Sequence, residues 1–226
     1  MEGLTTYFQR PMPPLSSINF LPPGAHLYGL PQTVYKLSPR FDTILIKLLV
    51  RDALGYVIIP APLSKAWVSS ILQRIRSRMV LRMMTEADIE GVLQRIVFIR
   101  NMNETEYLTL CAVFDVVLDP FPVGGGRSSL EIFSTGNVIV LQENETSVLH
   151  LTSGMYRAMG IDASSCCAAT DVDDYVDKCY TLAIDSKFRD SLVLKIFERN
   201  NVLYENASVI TEWERMLWKV SISARP

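Results

Sequence analysis

From Asp115 to Glu131 the chain reads Asp-Val-Val-Leu-Asp-Pro-Phe-Pro-Val-Gly-Gly-Gly-Arg-Ser-Ser-Leu-Glu. An apolar run is followed by three glycines, a cation, two hydroxyls and, one turn later, an acid. Each type has a task in holding a phosphorylated sugar. Glycines, lacking Cβ, let backbone approach a ligand closely. A helix opening after them offers unpaired N–H groups and a partial positive charge to an anion. Gly125 and Gly126 with Arg127, Ser128 and Ser129 are therefore candidates for binding phosphate, and the Glu131 carboxylate for accepting hydrogen bonds from ribose hydroxyls. By itself Gly-Gly-Gly-Arg-Ser-Ser is neither a P-loop nor a G-x-G-x-x-G fingerprint, and it also reads as a flexible loop capped by serine.

Such a loop needs a strand to deliver it and a helix to follow it. Short apolar runs predict strands over 25–30, 56–60, 95–99, 114–118 and 138–141. Apolar residues at helical spacing predict helices over 41–50, 64–78, 103–111, 128–135, 149–159, 171–183, 187–199 and 209–220. Ser64 reads as a helix cap, and Asn103 with Glu106 as a capping box. Strands alternating with helices imply right-handed crossovers: an α/β, Rossmann-like, mainly parallel sheet with helices on both faces. Residues 1–24, with Pro11, Pro13, Pro14, Pro22 and Pro23, read as an extended leader or interdomain remnant. Residues 25–220 then form one domain that includes the C-terminal helices, and 221–226 a tail.

Composition narrows the function further. In 226 residues, 22 Lys and Arg stand against 24 Asp and Glu, so no global field favours nucleic acid or an anionic membrane. The cluster Arg74, Arg76, Arg78 and Arg82 reads as a solvated helix face. No stretch approaches the ~18 apolar residues of a membrane span, and the first ten residues lack signal-peptide design. The expected location is cytoplasmic, nuclear or both. Cys111, Cys166, Cys167 and Cys179 show no C-x-x-C spacing and read as reduced core thiols; with His26 and His150 the only histidines, metal chemistry is not indicated.

Several further motifs accompany the glycine stretch: Pro-Pro-Gly-Ala-His-Leu-Tyr at 22–28, Pro-Gln-Thr-Val-Tyr-Lys-Leu-Ser-Pro-Arg-Phe-Asp at 31–42, Met-Tyr-Arg-Ala-Met-Gly at 155–160, Asp-Tyr-Val at 174–176 and Glu-Trp-Glu-Arg at 212–215. In this order and spacing, over roughly 22–220, the chain resembles the C-terminal donor-binding half of the O-GlcNAc transferase family, the SPINDLY-like protein O-glycosyltransferases with two Rossmann-like domains (GT-B).

The resemblance implies an inverting transferase that binds UDP-GlcNAc and, with an acceptor-side half that is missing or separate, passes the sugar to Ser or Thr of proteins, with no cofactor and no metal. Lys36 matches the lysine that neutralises the donor diphosphate, a role suited to a leaving group that gains charge. Gln32 lies near a family polar residue by the phosphates. Arg127, Ser128 and Ser129 stand where animal enzymes carry His-Thr-Thr, and Glu131 at the ribose-binding acid. The chain also departs from the family: the segment after 95–99 supplies Arg100 as its only base for uracil, and His150 stands where an arginine is usual. Three other readings remain open. One is a non-catalytic nucleotide-sugar-binding or interaction module, the second a degenerate remnant, and the third a GT-B enzyme using another sugar nucleotide.

Overall fold

The computed structural model describes residues 7–11, 22–62, 64–99, 102–142 and 150–223. Its strands are β1 (His26–Gly29), β2 (Gly55–Pro60), β3 (Ile96–Ile99), β4 (Val116–Leu118), β5 (Ile139–Gln142) and β6 (Ala168–Ala169). They form a parallel sheet in the order β3-β2-β1-β4-β5-β6. Strand order reverses between β1 and β4, the switch point at which open α/β sheets leave a crevice beyond the strands' carboxyl ends.

The helices are α1 (Pro39–Arg51), α2 (Lys65–Leu81), α3 (Glu86–Leu93), α4 (Glu104–Ala112), α5 (Arg127–Ser134), α6 (Leu151–Ala158), α7 (Val172–Ile184), α8 (Ser186–Arg199) and α9 (Ala207–Ser223). Right-handed crossovers on either side of the reversal carry them to both faces of the sheet. Val57, Ile58, Val116, Val117, Ile139 and Val140 are almost fully buried in its centre, because strands covered on both faces have no solvent side. All four cysteines are free and buried in that core.

Local chemistry explains most boundaries. Ser38 accepts the Phe41 N–H and Pro39 occupies the first turn of α1, where a missing N–H costs nothing. Asn103 and Glu106 form the reciprocal capping box of α4. Ser64 precedes α2 but makes no side-chain cap, so that expectation is corrected. Besides short 3₁₀ turns, one α-helix and one strand escape the sequence reading. Helix α3 is capped by Thr85, whose hydroxyl accepts the Asp88 N–H, and β6 is only two residues long.

The arginine cluster also departs from a solvated face. Arg74 grips the buried Asp42 carboxylate with two bonds of 2.7 and 2.8 Å and adds one of 2.9 Å to the Leu37 carbonyl. Arg78 donates to Thr43 at 2.9 Å, and Arg76 pairs with Glu86 and Glu90 of α3. These three arginines tie α2 to its neighbours, Arg74 because the buried Asp42 carboxylate requires a paired, hydrogen-bonded cation.

Candidate functional site

The loops after β1, β2 and β4 enclose a mostly apolar cleft of about 960 Å³ at the switch point, at the upper end of the ~300–1,000 Å³ usual for small-molecule sites. The loop after β1 brings Gln32, and a short 3₁₀ turn at Val34–Lys36 brings Tyr35 and Lys36. The loop after β4 brings Gly124, Gly126, Arg127 and Ser128, with Glu131 one turn into α5. Segments separated by almost 90 residues meet because β1 and β4 are neighbours in the sheet.

Lys36 Nζ donates to the Gln32 side-chain oxygen at 2.9 Å and to the Gly124 carbonyl at 2.8 Å. An ammonium has three N–H donors, so these bonds hold the charge against the glycine loop while one donor remains for a ligand. Beside it α5 begins at Gly126, which has no side chain to cap the helix. Its first-turn N–H groups and the partial positive charge at this end therefore face the same cleft as the lysine.

Not every predicted contact points into that cleft. The Gly125 N–H donates to Asp119 Oδ1 at 2.6 Å, and Ser129, almost fully buried, bonds the Thr152 hydroxyl at 3.0 Å. Thr152 in turn donates to Asp119 Oδ2 at 2.7 Å. Direct phosphate contact by Gly125 and Ser129 is thus replaced by support from beneath the loop, because the buried Asp119 carboxylate takes up the Gly125 N–H directly and the Ser129 hydroxyl is engaged through Thr152. Gly124, Gly126, Arg127 and Ser128 remain at the cleft wall. Gly125 is also sterically fixed: a Cβ there would stand 2.0 Å from Ser129 Oγ and 2.6 Å from Gln32 Nε2.

Arg127 bridges two acids, Glu131 at 2.6 Å and Glu104 of α4 at 3.3 Å. The Glu131 bond pushes the Arg127 pKa above its ordinary value, so the guanidinium keeps its charge at any working pH. Tyr107 of α4 lies on the same wall. Burial pushes its phenol pKa far upward, assisted by neighbouring Cys111 and Glu131, so it stands as a neutral donor and donates to the Pro31 carbonyl at 3.4 Å. Beyond Tyr107 and Glu131 a second chamber of about 530 Å³ opens between the β2 loop and the start of α4, lined in part by Ile99, Met102, Asn103 and Glu104. Arg100 lies outside the described residues. His150 is exposed at the start of α6 and is absent from both linings.

Sequence reading missed Asp119 and Thr152, although Asp119 sits inside the glycine stretch immediately after a strand, where site acids collect. It also missed Trp67 and Tyr35, whose rings meet edge to face across the cleft mouth with centroids 6.4 Å apart. At the opposite end of the sheet His26, Tyr28 and the Leu54 N–H converge on Asp52 at 2.7 to 3.0 Å, while Arg95 donates to the carbonyls of Leu49, Asp52 and Gly55. That cluster binds strand starts together. No group of three or more His, Cys, Asp or Glu suited to a metal occurs among the described residues, and no helix there is long and apolar enough to cross a membrane.

The sequence matches no protein-family model and no curated protein. Solved structures do match. The Thermobaculum terrenum O-GlcNAc transferase K341M mutant is similar over 91% of this chain and 38% of its own, with 18% identity and a TM-score of 0.71. The α,α-trehalose 6-phosphate synthase of Burkholderia multivorans is similar over 90% and 45%, with 12% identity and a TM-score of 0.56. Anabaena HepE, solved with UDP and glucose, is similar over 87% and 49%, with 14% identity and a TM-score of 0.59. The chain spans less than half the length of each. It therefore has the Rossmann-like α/β fold found in GT-B glycosyltransferases.

Proposed function

We propose that the chain is the donor-binding portion of a protein O-GlcNAc transferase-like enzyme, binding UDP-GlcNAc for transfer to Ser or Thr of proteins in the cytoplasm, the nucleus or both. The observation that carries this reading is the pairing of the Lys36 ammonium with the uncapped start of α5 at the switch point. Two positive features on one cleft suit a diphosphate. Glu131 one turn on suits ribose, and the second chamber beyond it suits a base. In the transfer step the acceptor oxygen bonds to the anomeric carbon and the bond from that carbon to the phosphate oxygen breaks. Lys36 and the α5 N–H groups then stabilise the departing UDP. The acceptor hydroxyl and the base taking its proton belong to the other half, so this portion alone positions the donor without completing the reaction.

The fold neighbours include a protein described as an O-GlcNAc transferase and one solved with UDP and glucose. The second of these favours a GT-B enzyme using another uridine-linked sugar as the runner-up. Calorimetric titration with UDP, with ADP and GDP as controls, tests the reading. Selective UDP binding is expected; no binding to any of the three reduces the likeness to one of fold. UDP-GlcNAc and UDP-glucose then separate the two donors.

A further inference from the structure

Tyr35 and Trp67 are 71% and 48% exposed, yet both line the large cleft. Large aromatic side chains bury surface when they can, yet here two of them stand exposed on a cleft whose wall also includes the buried Gln32, Val34 and Glu131. Their edge-to-face contact, 6.4 Å and 89°, braces the 3₁₀ turn carrying Lys36 against the first turn of α2. The smaller chamber, lined by Asn103 and Glu104, includes neither ring.

This placement orders an extended ligand. The anion cradle formed by Lys36 and the start of α5 lies on the wall of the large cleft together with both rings. Glu131 and Tyr107 border the small chamber on one side, and Tyr35, the residue before Lys36, opens toward Trp67 on the other. A nucleoside held at the Glu131 side leaves whatever is attached to the far phosphate against the aromatic pair. A pyranose presents one face made of C–H groups, which packs on an aromatic ring, and hydroxyls at its edge that stay toward water. A half-exposed ring pair suits such a ligand better than a dry apolar pocket does.

We infer that Tyr35 and Trp67 form the wall that receives the sugar ring of the nucleotide-sugar, and that they set the preference for a glycosylated over a bare nucleotide. The inference rests on the proposed function. Its test compares UDP with UDP-GlcNAc by calorimetry in the unchanged chain, Trp67→Ala, Trp67→Phe and Tyr35→Ala, with thermal melts to confirm folding. Ring removal is expected to weaken UDP-GlcNAc about 3- to 10-fold relative to UDP, the size of one aromatic contact, and Trp67→Phe to recover most of the loss. Fluorescence in a Trp213→Phe, Trp218→Phe background, which leaves Trp67 as the single tryptophan, should change with UDP-GlcNAc and not with UDP. If the unchanged chain binds UDP but the alanine variants lose both ligands equally, or neither, the assignment of the wall is overturned while the donor-site reading stands. If the unchanged chain binds no UDP, that reading falls and the wall with it.

Discussion

Asp119 Oδ1 accepts the backbone N–H of Gly125 at 2.6 Å while its second oxygen accepts the hydroxyl of Thr152 at 2.7 Å. One buried carboxylate thus holds the glycine loop to the start of α6. Removing it leaves an N–H and a hydroxyl without their acceptor in a dry environment, at about 1–3 kcal/mol for each such group. Asp119→Ala should therefore lower stability by about 2–6 kcal/mol and weaken UDP, whereas Asp119→Asn, keeping one acceptor, should lose less of both. Melting curves with parallel UDP titrations check this; an Asp119→Ala protein as stable as the parent overturns the role.

Gly125 tests the same loop from the steric side. A Cβ at 2.0 Å from Ser129 Oγ cannot be relieved by small shifts, because Ser129 is fixed by Thr152. Gly125→Ala should destabilise the protein and abolish UDP binding. Gly91→Ala on α3, where a Cβ meets nothing within 4 Å, should be neutral or slightly stabilising.

Lys36 carries the charge argument. Lys36→Ala should weaken UDP about 10- to 100-fold, the range of a charge-assisted hydrogen bond, and uridine hardly at all. Glu131→Ala should weaken UDP and uridine alike. Equal losses for both ligands in Lys36→Ala would remove the phosphate contact from the site.

Burial sets the behaviour of the thiols. Cys111 is pushed up to about 12, chiefly by desolvation, and Cys167 and Cys179 are also pushed well up. A raised pKa in the folded state means that folding retains a proton which the unfolded chain releases above about 9. The associated stability is present below pH 9 and is lost as pH rises toward 12. Native protein at pH 8 should leave Cys111 and Cys179 unmodified by a thiolate-selective reagent while denaturant exposes all four cysteines. Rapid native labelling of Cys111 would contradict the burial argument.

Patterning made the β1–β5 strands and most helices legible, since Val-Ile-rich runs and 3.6-residue spacing reflect burial directly. Helix α3 was hidden because only Ile89 and Val92 of its eight residues are buried, too few to show a periodic face, although Thr85 and Asp88 marked its start. The cleft positions of Gly126 and Arg127 were legible through residue type and that of Lys36 only through the family resemblance, but the inward turn of Ser129 was not. Whether a hydroxyl faces the ligand or the core depends on Asp119 and Thr152, the latter 23 residues beyond Ser129. The engagement of Arg74 was equally invisible, since its partner Asp42 lies on another helix.

The opposed ends of the parallel sheet have a practical consequence. The cleft residues follow strand carboxyl ends, while the His26, Asp52 and Arg95 bonds tie the amino ends. The two rims share no side chain. The amino rim is thus a place to graft tags or surface anchors, and such changes should leave the cleft at the opposite rim undisturbed.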